Sequence, residues 1–274
     1  MKTVIVPVDF SASAANAAVF AGEVASFYGA ELWLYYAYEL PVAVGDFAYP
    51  VFDVKEMQNA AEHDMEVFKT SLQNKFKAPV KINTRSELNV LQEGLAAFCD
   101  NIKPDLVVMG LSGKSALTRL VVGSNTIQTI YNLKYPVLVI PPKATFVPVR
   151  RIGFACDYKQ IEQNAPLGLL KKIVHDFNAE LHVLNVDYHN RNFSPDMLHE
   201  SFVLGELIRD LKPEYHNIES EDITEGINWF VARAKLDMII VIPKKHQIIQ
   251  RMFSRSHTRD LIFHTHTPIL CMHQ

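Results

Sequence analysis

One stretch of this chain occurs twice. Residues 103–141 read KPDLVVMGLSGKSALTRLVVGSNTIQTIYNLKYPVLVIP, and residues 235–273 read KLDMIIVIPKKHQIIQRMFSRSHTRDLIFHTHTPILCMH. The two align without a gap at an offset of 132, setting Lys103 on Lys235, Asp105 on Asp237, Arg119 on Arg251, Ser124 on Ser256, Thr126 on Thr258 and Pro136 on Pro268. Self-similarity over so long a period marks a duplicated folding unit. The beginnings match as well, with Val4–Phe10 parallel to Arg151–Tyr158 and Asp9 on Asp157 at an offset of 148. The larger offset leaves the first copy about 16 residues longer in its middle. Residues 39–50, ELPVAVGDFAYP, are the natural place for the insertion, because their prolines and glycine suit a loop. The segment PPKAT at 141–145 cannot continue a central strand. The expected domains are therefore residues 1–144 and 145–274.

Within each copy, strands and helices alternate. In the first, Val4–Val8 is an apolar run of strand length. A helix follows from a Ser11 or Ser13 cap, with Ala14, Ala15, Ala18, Val19 and Gly22 on one face. The pattern continues as a strand over 31–37, a helix over 54–76, a strand over 80–85, a helix over 89–101, a strand over 105–110, a helix over 124–132 and a strand over 136–140. Apolar strands alternating with helices indicate α/β architecture: two tandem, doubly wound, parallel-sheet, Rossmann-like domains. The short last strand suits a sheet edge.

Composition bounds the function. The chain has 274 residues, 49% of them hydrophobic, enough to fill two cores of ordinary size. A formal charge of −3 argues against a nucleic-acid-binding surface, which needs a basic excess. The apolar run near the N-terminus is too short for a signal h-region, and nothing approaches the roughly 18 apolar residues of a membrane span. Cys99, Cys156 and Cys271 are odd in number, widely spaced and set among apolar residues; they read as reduced, buried thiols of a cytoplasmic protein.

The residues that carry chemistry follow the fourth strand. Gly110-Leu111-Ser112-Gly113 is followed by Gly123-Ser124-Asn125-Thr126 at the start of a helix. Glycines let backbone approach a ligand, and the free amides of a helix N-terminus favour phosphate. Ser112, Ser124, Asn125 and Thr126 can add hydrogen bonds, and Lys114 and Arg119 are candidate counter-charges. In an open α/β sheet, ligands bind beyond the carboxyl ends of the strands where strand order reverses. Asp9, ending the first strand, and Gly110, ending the fourth, would flank that crevice.

The spacing G-x2-G-x9-G-S, matched by Gly110, Gly113, Gly123 and Ser124, resembles the ATP-binding signature of universal stress proteins. The Val6-Pro7-Val8-Asp9-Phe10-Ser11 opening is similar to that family's first strand, and the duplication is similar to its tandem members, whose fold is adenine nucleotide alpha hydrolase-like. The resemblance covers nearly the whole chain. It implies adenine near Pro7, Val8, Tyr36 and Ala37, ribose at Asp9, and phosphates on the glycine loop with Ser112, Ser124 and Asn125. The cofactor implied is ATP, with or without Mg2+. It also implies pairing of the two copies through their last strands, an internal pseudo-dimer with a homodimer of it as the further expectation, and an unidentified protein partner.

The second copy departs from this pattern. Ile242, Lys245 and Arg255 stand at the glycine positions, while Asp157 and Ser256 remain. Side chains there take the space that phosphates and tight turns need, so ATP is not expected in the same pose. Other readings stay open. Glycines at strand ends serve turns, and Asp9 and Asp157 can cap helices. Gly113-Lys114-Ser115 is no P-loop, since Val108 stands where that motif needs its first glycine. No metal site is expected: His264, His266, Cys271 and His273 match no zinc spacing. Phe47, Tyr49, Phe52, Tyr188, Phe193 and Phe202 fit packing over a core better than a partner surface. The resulting expectation is an ATP-binding stress-response regulator or sensor with no catalytic residues assigned. The alternatives are a slow ATPase or autophosphorylating enzyme, and a nucleotide-free scaffold.

Overall fold

The computed structural model describes residues 1–40, 53–76, 78–111, 124–158, 166–187, 195–242 and 267–273. The chain divides into two compact units, Met1–Gly110 and Leu111–Gln274.

In the first unit, β1 (Thr3–Pro7), β2 (Glu31–Tyr38), β3 (Ile82–Leu88) and β4 (Leu106–Gly110) form a parallel sheet in the order β3-β2-β1-β4. Val4, Ile5 and Val6 are fully buried, as a strand covered on both faces requires. Helix α1 (Ala12–Tyr28) starts at Ser11, whose Oγ accepts the Ala14 N–H at 3.2 Å. It stops at Gly29, whose φ of 61° lets its N–H turn back to Ala25 and Ser26. The buried face runs through Ala14, Ala17, Ala18, Ala21 and Ala25, with Gly22 beside it. Ala15 and Val19, expected on that face, lie at its flank and are only half-buried, because the stripe follows steps of three and four residues.

Helix α2 (Val54–Gln73) is capped by Asp53, whose Oδ1 accepts the N–H groups of Lys55 and Glu56 at 2.8 and 3.3 Å. It ends before Phe76, where the sequence pattern ran on, because Phe76 folds back over Gly22; any Cβ on Gly22 would overlap its ring. β3 starts and ends later than its hydrophobic pattern indicates. Its register with β2, from Leu32↔Ile82 to Tyr38↔Leu88, sets its length. Helix α3 (Leu91–Ile102) ends on Lys103 in the left-handed region, φ 53°, whose N–H reaches Cys99 O at 2.7 Å. Two residues on, the Asp105 carboxylate accepts the N–H groups of Lys2 and Thr3 at 2.6 and 3.1 Å, tying the start of β1 to the start of β4.

The second unit contains α4 (Ser124–Asn132), β5 (Val137–Ile140), β6 (Arg151–Ala155), α5 (Leu167–Phe177), β7 (Glu180–Asp187), α6 (Pro195–Leu207), a 3-10 turn (Arg209–Leu211), β8 (Glu214–Glu219), α7 (Ile223–Ala234), β9 (Met238–Val241) and β10 (Ile269–Cys271). Its strands lie in the order β5-β10-β9-β6-β7-β8. All pair in parallel except β5 with β10, which run antiparallel through Val139↔Ile269, Leu138↔Leu270 and Val137↔Cys271. The sheet is thus mostly rather than wholly parallel. β5 joins β10 within this unit.

The frame of the first unit recurs. α7 ends on Lys235 with φ 52°, and Asp237 accepts the N–H groups of Arg150 and Arg151 at 2.8 and 2.9 Å. The repeated Lys and Asp are therefore a helix stop and a strand tie, built alike in both units. Cys99, Cys156 and Cys271 form no disulfide, and Cys156 is only half-buried, unlike the other two. On α6, Phe202 is 68% exposed, so it does not pack over the core as expected. Phe47, Tyr49, Phe52, Tyr188 and Phe193 lie outside the described residues.

Candidate functional site

In the first unit the chain goes from β1 outward to β2 and β3, then returns to lay β4 on the other side of β1. Strand order therefore reverses at β1. β1 and β4 are parallel neighbours, Val4↔Leu106 and Ile5↔Val107, so their carboxyl ends emerge side by side. This is the crevice position of a doubly wound sheet.

Pro7 and Val8 are buried as the strand leaves the sheet, and the Val8 N–H is held by Tyr35 O at 2.8 Å. The next residue, Asp9, is exposed. Its Oδ1 accepts the Ser11 N–H at 3.0 Å, and Ser11 in turn caps α1. Asp9 thus braces the turn into the helix with one carboxylate oxygen while presenting the group to solvent. Between them Phe10 is forced to φ 58°. A bulky residue rarely accepts that conformation, and holding it costs on the order of 1–3 kcal/mol. Tyr158, the residue after Asp157, has φ 52°. The two units share this left-handed residue after the aspartate.

The strain at Phe10 has a visible result. Its ring is aimed at Tyr36, 4.7 Å away, and Phe68, 5.6 Å away, while Tyr36 lies 5.9 Å from Tyr38. Ala37, the half-buried residue where adenine is expected, lies between Tyr36 and Tyr38 in β2, and its side chain points to the opposite face of the strand. Burial, and then the negative charges of Asp64 and Asp9, push the Tyr36 phenol above its ordinary pKa. Tyr36 was expected near the base, whereas Phe10 and Phe68 were not; the sequence signal for Phe10 is that an aromatic follows the aspartate in both copies.

Gly110 ends β4 against the first turn of α1. A Cβ there would overlap the Ser13 carbonyl oxygen and lie 2.7 Å from its carbon. The glycine is thus required by packing within the unit, whatever else it does. The first unit brings together Pro7, Val8, Asp9, Ala37 and Gly110. In the second unit, taken by itself, α4 opens at Ser124 and Asn125 is exposed, while Thr126, named as a donor, is 2% exposed. Ser112, Gly113, Lys114, Arg119 and Gly123 lie outside the described residues. So do Lys245, Arg255, Ser256, His264 and His266. Cys271 is buried within β10, and burial lowers the pKa of half-buried His273.

Comparison with known proteins follows the same lines. The model of the Universal stress protein family matches residues 1–141. A universal stress protein of Methanocaldococcus jannaschii is 30% identical over 140 residues, 51% of this chain and 81% of that protein. Among solved structures, a universal stress protein from Archaeoglobus fulgidus superposes with a TM-score of 0.72, covering 99% of this chain and 98% of that one at 16% identity. A functionally unknown protein from Pseudomonas aeruginosa gives a TM-score of 0.58 at 11% identity, over 99% and 92% of the two chains. At such identities these structures speak to the fold alone. No helix among the described residues is long and apolar enough to cross a membrane.

Proposed function

The chain belongs to the universal stress protein family, and from that premise we propose that its first repeat binds an adenine nucleotide, ATP foremost, as a regulatory ligand. The observation that carries this reading is the exposed carboxylate of Asp9 at the carboxyl end of β1, where strand order reverses, with Phe10 and Tyr36 beside it. Asp9 would accept hydrogen bonds from ribose hydroxyls, and Pro7, Val8 and Ala37 would meet the base. The phosphate part, with Ser112, Gly113, Gly123, Ser124 and Asn125, rests on sequence: glycine backbone and a helix start favour an anion there. Mg2+ would offset phosphate charge.

No cradle lysine stands at the crevice among the described residues, and fast phosphoryl transfer in P-loop enzymes uses one. The bound nucleotide acts instead by differential affinity for one arrangement of the loop, which a protein partner reads. The second repeat, with Ile242, Lys245 and Arg255 at the glycine positions, supports the first rather than copying its binding. Antiparallel pairing of β5 with β10 supports an internal pseudo-dimer built through the last strand of each repeat. The free thiols suit a reducing compartment, which we take to be the cytoplasm.

Isothermal titration of nucleotide-stripped protein tests the reading. Heat of binding with ATP is expected for the wild type, and its loss in Gly113→Val and Gly123→Val with circular dichroism unchanged. No heat at millimolar ATP sinks the proposal; undiminished affinity in the two variants sinks the loop assignment. Native mass spectrometry of the purified protein identifies the nucleotide it carries.

A further inference from the structure

Strand register in the second unit brings three metal-ligand side chains to one point. His182 on β7 lies directly opposite Glu214 on β8, and His216 is two residues further along β8, on the same face. His182 Nδ1 is 3.0 Å from His216 Nε2 and 3.5 Å from Glu214 Oε2, and His216 Nε2 is 3.7 Å from that same oxygen. All three candidate ligand atoms lie within 4.8 Å of one another.

We propose that His182, Glu214 and His216 bind one divalent transition-metal ion, Zn2+ being the best fit, with a fourth position open to water. Two imidazole nitrogens and one carboxylate oxygen are a three-ligand zinc set. The three separations, 3.0, 3.5 and 3.7 Å, bracket the tetrahedral value and average about 3.4 Å. Zinc sits about 2.0–2.2 Å from such ligands, so tetrahedral neighbours stand about 3.3–3.6 Å apart. The triangle formed by the three distances has a point about 2.1 Å from every corner, lying about 0.7 Å above its plane. An ideal tetrahedral ion with bonds of about 2.1 Å also stands about 0.7 Å above the plane of three ligands.

The surroundings suit the role. The Phe230 ring centroid lies 4.4 Å from that of His216 and 6.2 Å from that of His182, closing the inner side. Glu214 is 68% exposed at its side chain, so an ion can arrive from solvent, while His182 is held at 9%. Without an ion, only one of the two facing nitrogens can donate to the other; with one, both lone pairs and the carboxylate are used together.

The test uses the full chain, stripped with chelator and titrated with Zn2+ by calorimetry and with Co2+ by visible absorption, which reports tetrahedral ligation. One ion per chain is expected, with tetrahedral Co2+ bands. Glu214→Gln, at an exposed position, and His216→Gln should each weaken binding by about tenfold or more. A double variant, His264→Gln with His266→Gln, should keep binding intact. Zn2+ should raise the thermal midpoint of the wild type and not that of His216→Gln. The proposal is overturned if the wild type binds no stoichiometric ion. It is equally overturned if Glu214→Gln and His216→Gln bind as tightly, or if binding is lost only in the His264/His266 variant.

Discussion

Gly110→Ala separates a packing role from a ligand role at the residue that opens the family signature. The added Cβ would overlap the Ser13 carbonyl oxygen, lie 2.7 Å from the carbonyl carbon and 3.3 Å from Ala14 N. All three are backbone atoms in the first turn of α1, so no rotamer change relieves the contact. The helix start must move by roughly 0.7–1 Å to restore ordinary separation, and a gap of that size forfeits a quarter to a half of each dispersion contact it opens. Ala14, Ala17 and Ala18 are the residues that would lift from the sheet. Overpacking costs about 1–3 kcal/mol, and an unyielding backbone neighbour places this substitution near the top of that range. For a unit of this size such a loss lowers the melting midpoint by roughly 10 °C. Differential scanning calorimetry of the nucleotide-free protein is the right assay, because a glycine needed only for phosphate would leave that midpoint unchanged. A shift below about 2 °C would refute the packing account.

Other outcomes follow from the same structure. Asp105→Ala and Asp237→Ala each remove a carboxylate that accepts two backbone N–H groups. Each should cost about 1 kcal/mol in urea denaturation, by similar amounts in the two units; a neutral result at either site would show that water replaces the tie. Burial holds His216 and His273 below the ordinary value of 6.5, so their unfolded forms bind protons more readily. Stability from these groups is complete above that pH and declines as pH falls through it. Urea midpoints at pH 7.5 and 5.5 should differ, and less so in His216→Gln, which also removes the group facing His182 and Glu214. Burial pushes the Cys99 thiol up to about 12 and raises that of Cys271. A thiol reagent should therefore reach half-buried Cys156 first in the native protein and the other two only on unfolding; fast labelling of Cys99 would contradict its burial.

Much of this architecture was legible because apolar runs of strand length alternate with helices twice over. Ser124–Asn132 appears with the bounds its sequence indicated. The misplaced limits have tertiary causes. β3 takes its length from register with β2, and α2 stops short because the Phe76 ring is used against Gly22. Asp9 was legible as the end of β1, yet its brace on Ser11 and the left-handed Phe10 require coordinates. The cluster of His182, Glu214 and His216 was beyond reach for another reason. Its members come from two strands separated by a helix and a turn, and only parallel pairing brings them opposite one another.

The duplication then has a physical reading. Lys103 and Lys235 stop helices in the left-handed region, Asp105 and Asp237 tie strand starts, and Phe10 and Tyr158 turn the chain out of the first strand of each repeat. Gly94 and Gly226 also occupy matching places, where a Cβ would meet Tyr35 Oη in one unit and the Ser220 Cβ at 3.0 Å in the other. None of these frame residues belongs to the glycine spacing that distinguishes the copies. The second repeat can therefore carry Ile242, Lys245 and Arg255 without giving up its fold. His182, Glu214 and His216 lie toward the amino ends of β7 and β8, whereas Asp157 follows the carboxyl end of β6 in the same parallel sheet. A metal ion there would occupy the opposite end of the sheet from the position of Asp157, so binding at one end would leave the other unconstrained.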